Sequence, residues 1–146
     1  MYINMKNDIR INSWKDLQEI LFKDSYDKKL KRFRSAYVYR GLSDARYKLK
    51  STLIRLGGEY DQLEGHLLRN FKKYAHRNPA PGNSSWNWLA VAQHHGLPTR
   101  LLDWTYSPYV ALHFATANVF KYNIDGVIWC VNYVRSNESL PLKLKR

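Results

Sequence analysis

Gln93-His94-His95-Gly96-Leu97-Pro98-Thr99-Arg100-Leu101-Leu102-Asp103-Trp104-Thr105-Tyr106-Ser107-Pro108-Tyr109-Val110-Ala111-Leu112-His113-Phe114-Ala115 is the stretch on which the reading of this chain turns. A solvated linker would not carry Leu101, Leu102 and Trp104. A plain core segment would not carry two histidines, an arginine, an aspartate and several hydroxyls. The mixture marks a partly buried polar network, which is either a structural lock or a site. Much of it is helix punctuation. Gly96 stops a helix that starts at Ser84 or Ser85, and Pro98 lies just beyond the stop. Ser107-Pro108 is an N-cap followed by a first-turn proline, opening a helix that runs to Asn118 with Val110, Ala111, Phe114 and Ala115 as its buried side. Gln93, His95, Thr99, Arg100, Asp103 and Trp104 are not explained by punctuation.

Upstream, Ala36-Tyr37-Val38-Tyr39 has strand composition and runs into Arg40-Gly41. A strand-end arginine points a planar fork into a cleft, where it suits a phosphate or carboxylate. The competing reading is a structural pair, with Asp103 as partner. Gly41 serves a turn or a close backbone approach. Arg55, in Leu53-Ile54-Arg55-Leu56, is a second arginine among apolar residues and calls for a partner. A short strand is expected near Tyr47 and Leu49. Residues 60–76 have helical periodicity, with Leu63, Leu67, Leu68, Phe71, Tyr74 and Ala75 as an apolar stripe. Glu64 stands beside that stripe, placed to pair with Arg40 or Arg55. A loop follows at 78–83.

Ser13 caps a helix over 13–23 that presents Trp14, Leu17, Ile20 and Leu21 on one face. Asp27–Arg34 reads as a basic connector. Gly126–Tyr133 reads as a buried strand in which Cys130 is a small hydrophobe. The tail after Val134 is polar and basic. These elements make an α+β fold in a single domain over 1–146. Helices 60–76, 84–95 and 107–118 pack on a small, mainly antiparallel sheet that includes strands 36–40 and 126–133. Helix 13–23 packs on this core, and the main cleft is expected where Arg40 meets the 93–107 turn.

The bulk properties narrow the class. There is no apolar run of about 18 residues, so no membrane span is expected. The start, Met1–Arg10, is polar and unlike a signal peptide. One cysteine in 146 residues rules out an internal disulfide and a zinc-finger pattern, which favours the cytoplasm. The net charge of +12 is uneven: residues 1–80 hold 18 basic against 9 acidic side chains, and the remainder 6 against 3. A polyanion such as nucleic acid is therefore a partner to weigh against a simply solvated basic surface.

Tyr39-Arg40-Gly41, Leu53-Ile54-Arg55, Glu64 with Phe71, and the long 93–115 motif together resemble the FRG domain, a family named for its (Phe/Tyr)-Arg-Gly motif. The resemblance covers about residues 36–133. It implies a bacterial or phage cytoplasmic domain, and since members tend to run longer, one that is C-terminally short here. A second likeness is to the ADP-ribosyltransferase fold. Tyr39-Arg40-Gly41 resembles its first element, and Thr105-Tyr106-Ser107 with Ala111–Ala115 its second. The third element, a catalytic glutamate, departs from the pattern, because Glu138 falls in the tail.

Two classes of function result. In the first, the cleft binds a phosphate-containing ligand. Arg40, His95, Asp103 and Ser107 form its catalytic set, and Tyr39, Arg55, Gln93, Thr99, Arg100 and Trp104 its binding set, with no metal ligands. The adjacent His94 and His95 cannot both face one ion on a helix. In a nuclease or hydrolase reading, His95 would act as a base oriented by Asp103. The transferase likeness implies NAD. Arg40 would hold its phosphate, Ser107 or Thr105 would position the nicotinamide ribose, and a carboxylate would stabilise the oxocarbenium-like centre. The second class is a non-catalytic nucleic-acid-binding or protein-interaction module in phage or defence biology. It would use Lys28, Lys29, Lys31, Arg32, Lys72, Lys73 and Arg77 on phosphates and exposed aromatics on bases.

Overall fold

The computed structural model describes residues 8–23, 25–75 and 82–142. They form α1 (Trp14–Phe22), β1 (Tyr26–Asp27), β2 (Arg32–Phe33), β3 (Tyr37–Leu42), α2 (Thr52–Leu56), α3 (Tyr60–Tyr74), α4 (Ser85–His94), α5 (Pro108–Thr116), β4 (Val127–Asn132) and α6 (Tyr133–Glu138). This is the expected α+β class, with antiparallel pairing throughout these strands. Two compact units emerge. One combines the described residues up to Ala45 with those from Trp104 onward, and the other is Arg46–Asp103. The expected end of α3 at His76, the phosphate contact considered for Arg77 and most of the 78–83 loop lie outside the described residues.

The first unit is organised on the β3–β4 ribbon. Its register sets Tyr39 opposite Cys130, Arg40 opposite Trp129 and Gly41 opposite Ile128. Directly opposed residues share a face, and faces alternate along a strand. Tyr39, Gly41, Ile128 and Cys130 therefore look one way, and Val38, Arg40, Leu42, Val127, Trp129 and Val131 the other. On its second edge β3 meets Thr105, with Tyr39 and Thr105 exchanging N–H···O bonds of 2.8 and 2.9 Å.

α5 packs on the Gly41 face at unusually short range. A Cβ built on Gly41 would lie 1.7 Å from the Ala111 carbonyl oxygen, and one on Gly126 would lie 2.9 Å from that of Ala115. Of the two uses considered for Gly41, the structure takes close backbone approach. The same contact corrects the expected buried side of α5. Ala111 is buried and Ala115 partly so, but Val110 and Phe114 are exposed, Phe114 by 61%. A helix seated backbone to backbone on glycines presents its smallest side chains, and the bulky ones have to point away.

Beneath Tyr39 lie Leu21, Ala111, Leu17, Phe22 and Ile128. α1 contributes through the face its spacing predicts, with Leu21 buried and Trp14 stacked on Tyr109 at a 6.3 Å centroid separation. Ser13 caps it by accepting from Asp16 N. The Tyr39 hydroxyl donates to Leu21 O at 3.1 Å, which leaves Ser35 as donor in its 3.2 Å contact with Tyr39.

Burial pushes the Tyr39 pKa up, with the Ser35 hydrogen bond opposing. A phenol whose pKa is raised on folding stabilises the fold fully below its unfolded value near 10, and the contribution is lost as pH rises through the folded value. Tyr39→Phe should cost about 1 kcal/mol at pH 7, because the Leu21 carbonyl loses its donor. It should also flatten the fall in urea midpoint above pH 10. An unchanged alkaline limb would show that another group titrates there.

Three further expectations are corrected in this unit. The basic connector at 27–34 is a hairpin, β1–β2. The polar tail begins as helix α6, capped by Asn132, which accepts from Arg135 N at 3.0 Å. Cys130 is exposed rather than buried. Packing around its sulfur still pushes the thiol pKa up, so the protonated form prevails at neutral pH.

In the second unit, Ser51 caps α2 and is buried with Leu53, and no strand forms around 47–49. α3 and α4 meet through Phe71 and Trp88, edge to face at 6.5 Å, with the Lys72 ammonium 5.2 Å from the Trp88 ring centre. Trp88 Nε1 donates to Gly82 O. The α3 stripe is partly buried at Leu63, Leu67, Leu68 and Phe71, and Tyr74 is exposed. The residue of α3 buried most completely is Glu64, at 4% exposure. No described helix is long and apolar enough to cross a membrane.

Candidate functional site

The 97–103 turn leaves α4 at Gly96, whose φ of +86° suits glycine as a helix stop. Glu64 enters the turn from α3. Its Oε1 accepts from Arg100 N at 2.8 Å, and its Oε2 pairs with Arg100 Nε. One carboxylate thus holds both the backbone and the guanidinium of a single residue. Asp61 adds an exposed contact at 3.6 Å from the same guanidinium. Neither partner expected for Glu64, Arg40 or Arg55, is the one shown by these bonds.

A second chain of bonds runs through Gln93. Thr99 Oγ1 donates to Gln93 Oε1, and Gln93 Nε2 donates to Asp103 Oδ1. Thr99 is 1% exposed; it accepts from Leu101 N through its hydroxyl and from Leu53 N through its carbonyl. The turn is therefore tied to α2, α3 and α4 at once. His95 is the exposed C-cap of α4, with its ring against Phe71 at 5.9 Å and His94 at 5.6 Å. Arg55 is exposed in the last turn of α2. Among the described residues, no group of three His, Cys, Asp or Glu gathers where a metal ion could bind.

The other candidates belong to the first unit. Tyr39 is in its core. Ser107 Oγ accepts from Val110 N and caps α5, while Ser107 N donates to Thr105 Oγ1. Trp104 and Arg40 are partly buried. Arg40 is engaged in an interaction of its own. Opposite it on the same ribbon face is Trp129, whose Nε1 is buried and has no hydrogen-bond partner among the described residues.

The family model described as FRG domain matches residues 35–123, from just before β3 to just after Val119–Lys121. The chain belongs to the FRG domain family. Neither curated proteins nor solved structures give a match. The two motifs that define this FRG domain at sequence level fall in different compact units, Tyr39-Arg40-Gly41 in the first and 93–103 in the second. Within the second unit the structure brings together Gln93, Thr99 and Asp103, and separately Arg100 with Glu64. Within the first it places Tyr39 beside Thr105, and Arg40 opposite Trp129. Sequence reading missed Trp129 as a candidate and missed the true partner of Glu64. Trp129 carried no signal beyond its strand, because cross-strand register is not written in local composition.

Proposed function

We propose that this FRG domain binds an anionic, phosphate-bearing ligand on the β3–β4 face that carries Arg40 and Trp129. The observation that supports this most is the Trp129 indole N–H. A buried donor without an acceptor costs about 1–3 kcal/mol, and an anion beside Arg40 would offset that cost. Val38, Leu42, Val127 and Val131 share the face and are partly buried, so charge-assisted bonds there would act in a low-dielectric surrounding. Arg40 would share or exchange its present partner for the ligand.

In this reading the Glu64–Arg100 and Gln93–Thr99–Asp103 bonds hold the motif turn rigid instead of carrying chemistry. A cytoplasmic setting belongs to the same proposal, its support being the lone cysteine. NAD is the ligand that would make the domain an ADP-ribosyltransferase. That step would need a carboxylate at the ribose, and Glu138 ends α6.

Isothermal titration of the full chain with inorganic phosphate, ADP and NAD tests the proposal. Arg40→Ala should weaken binding at least about tenfold while leaving the melting temperature within a few degrees. Trp129→Phe keeps the ring and removes the donor, so it should weaken binding yet leave stability unchanged or raise it by up to about 1 kcal/mol. Binding that survives both substitutions would sink the proposal. Nicotinamide release from NAD, measured in the same samples, would identify the transferase use.

A further inference from the structure

We propose that the β1–β2 hairpin is a docking surface for single-stranded nucleic acid. Its turn carries Lys28, Lys29 and Lys31, Arg32 opens its second strand and Arg34 directly follows it; all are exposed, and no acid lies among them. The one acid of the hairpin is Asp27, and its carboxylate is directed inward. Oδ1 accepts from Lys29 N at 2.9 Å and from Leu30 N at 3.0 Å, closing the turn. With that carboxylate engaged by the turn's own backbone, the exposed charged side chains of the turn are all lysines, with Leu30 exposed among them.

Two aromatics complete the surface. Tyr26 and Phe33 are paired across the strands, with ring centroids 5.2 Å apart and planes at 66°. They are 51% and 68% exposed. By strand alternation these rings share the face opposite to Arg32 and Arg34, at the foot of the lysine turn. An unpaired strand uses such rings and cations together, since bases stack on rings while phosphates meet lysines. A folded duplex hides its base faces and has no use for such rings, and an acidic peptide would use only the charges.

The platform is held from below. Phe33 packs edge-on against Phe22 at 6.3 Å, and Phe22 is part of the core under Tyr39. Arg34 N donates to the carbonyl of the buried Ser25, and Ser25 N to Phe22 O. Lys31 adopts φ +50°, a conformation that glycine or asparagine takes with less strain, and so places a cation where the turn alone would favour a small residue.

Fluorescence anisotropy of the full chain with labelled dT12 and U12 tests this. Both should bind, with affinity falling steeply as salt rises. A Lys28→Ala/Lys29→Ala/Lys31→Gly variant keeps Asp27 and suits the turn. It should lower the slope of log affinity against log salt by about 2, the change expected for three lost single-strand phosphate contacts. Phe33→Leu keeps an apolar contact with Phe22 and should weaken binding about tenfold with an unchanged salt slope. Equal affinity for a 12-base-pair duplex or for polyglutamate would overturn the assignment, as would a Phe33→Leu protein that binds like the parent. If the triple variant leaves the salt slope unaltered, the hairpin is not the surface.

Discussion

Gly41→Ala should be the most damaging single-methyl change in the first unit, costing at least about 3 kcal/mol. The added carbon would sit 1.7 Å from the Ala111 carbonyl oxygen and 2.8 Å from Ala115 N. Both are backbone atoms of α5, so no rotamer change relieves the overlap. The helix would have to lift off the ribbon, and with it would go the contact between Ala111 and the core under Tyr39. Gly126→Ala provides the scale. Its nearest atom is also backbone, but at 2.9 Å, so backbone has to give there too, by far less than at Gly41, and the cost should be about 1–3 kcal/mol. Urea unfolding of both variants gives the comparison, and hydrogen exchange should report loss of protection in β3, β4 and α5 first. A Gly41→Ala protein with the parent's midpoint would mean that α5 does not lie on Gly41 in solution. The glycine of the Tyr-Arg-Gly motif is thus explained by packing.

The second large effect is expected at Glu64, whose loss should destabilise the second unit by about 2–3 kcal/mol. Glu64→Ala removes two charge-assisted bonds, one to Arg100 N and one to its guanidinium, each worth about 1.5–3 kcal/mol net. The figure is set below the sum of the two because the abandoned guanidinium is 47% exposed and can rehydrate. Arg100→Ala is the more revealing partner. It leaves an almost wholly buried carboxylate without its counter-charge and, among the described residues, with only the residue-100 backbone N–H as donor, so it should cost about as much despite removing an apparently exposed side chain. Thermal melts of the two single variants and the double give the coupling directly. A double variant no worse than Arg100→Ala fits a paired lock, whereas additive losses would mean that the two residues act separately. Exchange protection should fall around 97–103 and leave the β3–β4 ribbon unaffected.

Local chemistry made much of the architecture legible. Ser13 and Ser107 were readable as caps, and the start of α4 as Ser84 or Ser85, because each sits just before a helical period; the structure makes Ser84 the cap, and each cap oxygen accepts from a backbone N–H three residues on. Gly96 was readable as a stop for the same local reason. Asn132 carried an equal signal for α6, but the polar composition after it masked the helix. The β1–β2 hairpin was missed because its strands are two residues long and its turn is three lysines and a leucine, so alternation had no room to appear. Burial on α5 was misjudged because size of side chain was taken as a guide, where close backbone approach reversed the order. Glu64 was recognised as needing a partner, but its partner lies 36 residues away, at a separation no spacing rule reaches.

By itself the sequence determined α1, α3, α4 and α5, the two principal strands, the basic bias and the membership of the FRG family, because capping, periodicity, charge and motif are properties of neighbouring residues. Only the tertiary structure decided which polar residues of the 93–115 stretch tie the turn together, that Gly41 is a contact point for a helix, and that Trp129 stands across from Arg40. Those facts depend on register and on meetings between distant segments. A carboxylate, a glycine or an indole has the same composition whether it meets a backbone, a helix or a ligand.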